Sequence, residues 1–241
     1  MIDTVLLDAG GVILDETEFE RVRAEVAVVI LAPVVPGYDG RSYWTDIREA
    51  VACYSPSVYR YVIWKRCGCD LVAFDALWTE YMALWRKRDP GCMLMPGIGP
   101  ALRDLATDYA LVIAGQYGSR LMNLLEAHDL AGCLSTKITQ DDFSITKPDP
   151  RYYEQILQRA GRFAERSIMV GDRIDKDVIP AKAVGMRTIR VRVGIHASQE
   201  PRTPDERPDI EVASVADLPE AVRRLSKEDQ MHAAFEAGNS Q

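Results

Sequence analysis

The sequence predicts an α/β protein: a doubly wound parallel sheet carrying an inserted α-helical domain. Three observations carry that reading. Near the N-terminus the apolar run Thr4, Val5, Leu6, Leu7 ends on Asp8 and is followed at once by Ala9-Gly10-Gly11. A continuous apolar run suits a parallel strand covered on both faces. From residue 96 onward short apolar runs alternate with helical patterns, the rhythm of strands joined by crossover helices. Between the two, residues 15–95 have a different texture and hold all four Trp and six of the ten Tyr.

Taken in order, the first strand ends at Asp8. Within the insert, Leu71, Phe74, Leu77, Trp78, Tyr81, Met82 and Trp85 follow three- and four-residue steps, so this part is helical. Pro36-Gly37 and Gly40 mark a loop between helices. After Pro96-Gly97 come a helix over 100–106, a strand over 110–114, and a helix over 119–127 with Ser119 as N-cap. Asp149 and Pro150 open the next helix as N-cap and first residue, and Gly161 ends it. Strands follow over 167–170 and 188–193, with a helix through Val184 between them. Pro180 belongs in its first turn and Gly185 is its stop. A short strand at 211–212 and a helix over 216–225 complete the pattern. The predicted domains are a core of 1–14 and 96–228, a helical cap of 15–95, and a fraying polar tail of 229–241.

A formal net charge of −7 argues against a nucleic-acid partner, because phosphate backbones are held by clustered Lys and Arg. The apolar run at 24–35 is too short to span a bilayer and contains Glu25 and Pro33, so no membrane partner is expected. No basic leader precedes it, and five Cys without framework spacing suit free thiols, which together point to the cytoplasm. Cys67-Gly68-Cys69 lacks the second pair that a metal clip needs.

The chemistry concentrates at predicted strand ends. Asp8 follows one strand; Asp172 and Asp177 follow another. In a parallel sheet such ends share an edge, so these carboxylates can converge. Together they repel one another and call for a cation, and oxygen-only donors suit Mg²⁺. Gly10 and Gly11 let backbone N–H groups approach an anion. Lys147, just before a helix start, is a point charge for a phosphate or for crowded carboxylates. Taken singly, such an Asp serves equally as a turn residue and Lys-Pro-Asp-Pro as a helix entry. Order and spacing together give them weight.

The segment from Asp8 to Asp15 (DAGGVILD) resembles the first motif of the haloacid dehalogenase (HAD) superfamily. Lys147-Pro148-Asp149-Pro150 looks like its third motif, and Met169-Val170-Gly171-Asp172 with Asp177 like its fourth. The resemblance implies a Rossmann-like core with a helical cap that closes over substrate. It implies a Mg²⁺-dependent hydrolase of a small phosphorylated metabolite, acting as monomer or homodimer through an aspartyl-phosphate. Asp8 would then be the nucleophile and a metal ligand, with Gly10 (through its carbonyl), Asp172 and Asp177 completing the metal site. Lys147 would be the catalytic cation, and Gly11, Gly115, Gln116 and Lys147 would hold phosphate.

Two departures stand out. The family's phosphatases place an Asp two residues after the nucleophile to protonate the leaving oxygen; here that position is Gly10. Loss of such an acid typically costs about 10²–10⁴ in rate. The family also expects Ser or Thr, then Asn, after the 110–114 strand, where this chain has Gly115-Gln116. Two alternatives stay open: a 2-haloacid dehalogenase, which the acidic pair Asp172 and Asp177 disfavours, and a catalytically weak phosphometabolite-binding or regulatory protein.

Overall fold

Strand β1 (Thr4–Leu7) is buried along its whole length and is followed by a tight turn into β2 (Leu14–Asp15). Four helices come next: α1 (Thr17–Leu31), α2 (Gly40–Ala52), α3 (Val58–Arg66) and α4 (Leu71–Arg88). The chain then runs through β3 (Met93–Leu94), α5 (Ile98–Leu105), β4 (Ala110–Ile113), α6 (Ser119–Ala127) and α7 (Pro150–Ala160). It ends with β5 (Ser167–Gly171), α8 (Ile179–Ala183), β6 (Arg187–Val191), β7 (Ile210–Val212) and α9 (Leu218–Asn239). This computed structural model describes every residue except Gln116, Lys137, 139–141 and 240–241, and only the backbone of 232–239.

The chain divides into two compact units. The first comprises Met1–Asp15, Cys92–Val193 and Pro201–Gln241. Its five-stranded sheet has the order β4-β1-β5-β6-β7, and every neighbouring pair is parallel. Alternate strand residues point to opposite faces. Val5, Leu7, Ile168, Val170, Ile189 and Val191 pack with apolar residues of α5, α6 and α9. Leu6, Val112 and Met169 pack instead with Tyr152, Tyr153, Ile156 and Leu157 of α7 and Ala181 of α8. Helices thus cover both faces, and the fold is the expected doubly wound, Rossmann-like sheet.

The second unit comprises Glu16–Gly91 and Gly194–Glu200. Asp39 caps α2 by accepting from the Ser42 N–H at 2.8 Å, and Asp70 caps α4 through the Ala73 N–H at 2.7 Å. Arg86, Lys87 and Arg88 close the last turn of α4, where cations suit the helix dipole. The aromatics form this unit's own core: Phe19 packs on Trp85, while Trp78 stacks between Phe74 and Tyr81.

Several boundaries differ from expectation. Gly40 is the first residue of α2 rather than loop. Gly118, not Ser119, caps α6, and no side chain bonds there. The segment before Gly185 opens with a π-helical turn, Ile174–Val178, which lets Asp177 fold back on the loop before α8 begins. Helix α9 continues past Glu228, where the sequence predicts fraying. The β2–β3 ribbon pairs Leu14 with Leu94 and Asp15 with Met93 and had no sequence signal, being two residues long on each side. Among the described residues no helix is long and apolar enough to cross a membrane.

Candidate active site

The site is built by the carboxyl ends of β1, β4 and β5 together with the entry to α7. The Asp8 N–H donates to the Val170 carbonyl at 2.8 Å, prolonging the β1–β5 pairing and seating its carboxylate just past the sheet edge. After it the chain turns tightly, with both Ile13 and Leu14 donating to the Ala9 carbonyl. Gly11 adopts φ +69°, a left-handed conformation that favours glycine. A Cβ there would lie 2.9 Å from Asp172 Cγ, so the missing side chain is what lets this turn approach Asp172. The Gly11 N–H donates to the Leu14 carbonyl at 3.1 Å. Its contribution is therefore close approach; that donor is committed to the turn.

Asp8, Asp172 and Asp177 each offer a carboxylate oxygen within 4.8 Å of the others. Asp172 and Asp177 are buried, and Asp8 keeps 15% of its side chain exposed. Lys147 is buried and donates to Asp8 Oδ1 at 2.8 Å and to Asp177 Oδ1 at 2.6 Å. Burial works to lower the Lys147 pKa, but the Asp177 and Asp8 carboxylates outweigh it and hold the amine well above its ordinary range. The side chain is accordingly a fixed cation.

Asp177 is held from three further directions. Its Oδ2 accepts the Arg173 N–H at 3.0 Å, the Tyr153 hydroxyl lies 3.3 Å from its Oδ1, and a Cβ on Gly171 would collide with its carboxylate. Asp149 and Pro150 open α7 as predicted, with Asp149 accepting the Arg151 N–H at 2.9 Å, and this entry presents Lys147 to the acids.

The three carboxylates repel one another; Lys147 bonds two of them, and Arg173, bidentate with Asp175 at 3.1 and 2.6 Å, adds its charge from beside Asp172 and Asp177. A further, compact positive charge with a preference for oxygen donors fits this arrangement, which is the donor chemistry of a hard divalent cation. Among the described residues no other group of His, Cys, Asp and Glu is clustered in this way, Cys67 and Cys69 included.

Of the remaining expected residues, Gly10 lies in the turn, bridged to Leu14. Gly115 follows β4 so closely beside Ala9 that a Cβ on it would run into the Ala9 Cβ and backbone nitrogen. Gln116 lies outside the described residues. Tyr117 is partly buried and packs against the main core. Sequence reasoning missed Arg190, fully buried on β6 behind Asp172, because a charged residue in a strand reads as solvent-facing.

A carboxylate cluster and buried lysine at the carboxyl edge of a parallel sheet define an α/β protein with an acid-lined anion or metal site. The family described as HAD-hydrolase-like matches residues 144–218, which hold Lys147, Asp172 and Asp177. Over 241 aligned positions the chain is 35% identical to a glyceraldehyde 3-phosphate phosphatase of Methanopyrus kandleri, covering 95% of this chain and 100% of that one. It is 35% identical over 198 positions to a phosphoglycolate phosphatase of Mesorhizobium japonicum, covering 80% and 81% of the two chains. A haloacid dehalogenase-like protein of Agrobacterium tumefaciens shares the fold with TM-score 0.70 at 21% identity, over 94% of this chain and 100% of that one. The chain belongs to the haloacid dehalogenase superfamily of hydrolases, as a member with a helical insertion between β1 and β4.

Proposed function

We propose that this protein hydrolyses small phosphate monoesters with Mg²⁺ as cofactor and Asp8 as nucleophile. The observation that carries the reading is the meeting of Asp8, Asp172 and Asp177 around Lys147. Two- and three-carbon phosphates are the favoured substrate class, since two relatives alignable over most of the chain act on glyceraldehyde 3-phosphate and phosphoglycolate by name.

Asp8, Asp172, Asp177 and the Gly10 carbonyl would hold Mg²⁺, which supplies charge neutralisation for the transferring phosphoryl group. An Asp8 carboxylate oxygen attacks phosphorus, the bond to the ester oxygen breaks, and the alkoxide takes a proton as it leaves. Water then attacks the aspartyl-phosphate, releasing inorganic phosphate and restoring Asp8. Lys147, a permanent cation beside Asp8, orients the nucleophile and offsets charge on the phosphoryl oxygens. With Gly10 where an acid would stand, the leaving oxygen draws its proton from solvent, so esters with better leaving groups should turn over faster. The same acid cluster argues against halide displacement, which needs no cation beside the attacking carboxylate.

The test is phosphate release from a panel of monoesters, including glyceraldehyde 3-phosphate and phosphoglycolate, with Mg²⁺ or with chelator. Release should require Mg²⁺ and disappear in Asp8→Asn. Release that persists in that variant would remove Asp8 from the reaction, and chloride release from a haloacid without metal would replace the reading.

A further inference from the structure

Arg190 has no part in the scheme above, yet its side chain is among the largest fully buried ones of the described residues. It stands on β6 opposite Gly171 of β5 and Glu211 of β7. Its Nε donates to the Asp172 carbonyl at 3.2 Å, and its Nη1 pairs with Glu211 Oε1 at 2.9 Å. The Asp172 carbonyl belongs to the same peptide group as the Arg173 N–H, which donates to Asp177 Oδ2 at 3.0 Å. This one peptide plane is therefore gripped at both poles, by a guanidinium behind it and by a carboxylate of the cluster in front.

Fixing that plane fixes the torsion from which the Asp172 side chain departs. Ile189 and Val191, its neighbours on the strand, point to the opposite face and join the core there. Burying a guanidinium is costly unless its bonds are used, and replacing a buried ion pair by apolar groups is often neutral or stabilising. Here those bonds go to Glu211 and to the backbone carbonyl of Asp172, a residue of the carboxylate cluster.

We propose that Arg190 is a positioning residue that sets the affinity for the divalent cation, holding the Asp172 carboxylate in register with Asp8 and Asp177 through the Asp172–Arg173 peptide. The proposal rests on the reading of Asp172 as a metal ligand. Outer partners of metal ligands typically contribute about 10–100-fold in affinity.

The experiment measures Mg²⁺ binding by calorimetry, without substrate, for the wild type, Arg190→Met, Arg190→Lys and Arg192→Met, with a melting temperature for each. Arg192 also reaches toward Glu211, at 3.4 Å, and serves as the control for lost charge. Arg190→Met takes the guanidinium from Glu211 and from the Asp172 carbonyl, so it should melt below the wild type and bind Mg²⁺ roughly tenfold or more weakly. Arg190→Lys should fall between, because one ammonium must divide itself between the Asp172 carbonyl and Glu211, and Arg192→Met should match the wild type. Affinity in Arg190→Met within twofold of the wild type overturns the proposal. Should that variant fail to fold, unchanged affinity in Arg190→Lys overturns it and clearly weakened affinity supports it. An equal loss in Arg192→Met would reduce the effect to net charge and overturn it too. A wild type that binds no Mg²⁺ sinks the metal reading itself, and the proposal with it, which distinguishes that failure from the others.

Discussion

Gly115 illustrates how one residue's departure from a family pattern is tied to another residue's size. The position where a hydroxyl is expected has no room for any side chain, because its Cβ direction is occupied by Ala9, including the Ala9 backbone nitrogen. Backbone cannot step aside as a flexible side chain can. Gly115→Thr, which restores the family's usual residue type, should therefore destabilise the protein by about 1–3 kcal/mol and fail to raise phosphatase activity. Urea midpoints and phosphate release together check this. A threonine variant that is both as stable and faster would show that the turn after Asp8 yields more easily than its geometry implies. The chemistry-bearing residues themselves were readable, since Asp8, Lys147, Asp172 and Asp177 each stand beside a local turn or helix-start signal. Arg190 and Glu20 were not readable. Both are charged residues on otherwise ordinary strand and helix patterns, and only tertiary packing buries them.

Within the helical unit, Glu20 on α1 shows what such burial does. The Tyr59 hydroxyl of α3 donates to its Oε1, while its Oε2 and the Tyr43 hydroxyl of α2 are buried with no hydrogen-bond partner among the described residues. Arg23, one turn along α1, lies over the rings of Tyr59 and Trp85 at 4.0 and 4.1 Å and reaches the Tyr81 hydroxyl of α4 at 3.5 Å. Burial raises the Glu20 carboxyl from 4.5 to about 7, with Glu16 adding to it and the Tyr59 bond and Arg23 opposing. Because the folded pKa is the higher one, the protonated carboxyl favours folding. Its contribution is complete below pH about 4.5 and is lost as pH rises through about 7. At about 1.4 kcal/mol per unit, the span is on the order of 3 kcal/mol. Glu20→Gln should remove most of this slope and be the more stable protein at pH 8. Denaturant midpoints at pH 5 and pH 8 for both proteins measure it, and parallel slopes would exclude Glu20 as the source. The aromatic stripe that marks this helical unit was legible because local periodicity writes it. The polar cluster beneath it depends on three other helices and left no such trace.

At the scale of the molecule, the second unit is assembled from two separate stretches, so the chain passes between the units four times. The later stretch, Gly194–Glu200, includes a 3₁₀ turn with His196 buried, buries Gln199, and has its Glu200 carbonyl bonded to the Tyr54 hydroxyl at 2.7 Å. A single helical insert was the natural reading of the sequence, because seven residues with no periodicity of their own cannot announce which unit they join. All three carboxylates of the cluster, however, belong to the first unit. A cation that binds them stabilises that unit by mass action, worth about 2.7 kcal/mol at one hundred times its dissociation constant. For a chain of this size each kcal/mol moves a melting temperature by roughly 2–4 °C, so saturating Mg²⁺ should raise it by about 5–10 °C. Asp172→Asn removes one of three mutually repelling carboxylates, so it should melt no lower than the wild type without metal and should lose the Mg²⁺-induced shift. Calorimetric scans with Mg²⁺ and with chelator test both proteins. If two transitions resolve, only the one belonging to the first unit should move. If a single transition moves as a whole, the four crossings bind the two units into one cooperative fold. A wild-type scan indifferent to Mg²⁺, or a shift that survives in Asp172→Asn, would mean that the three carboxylates do not hold the cation.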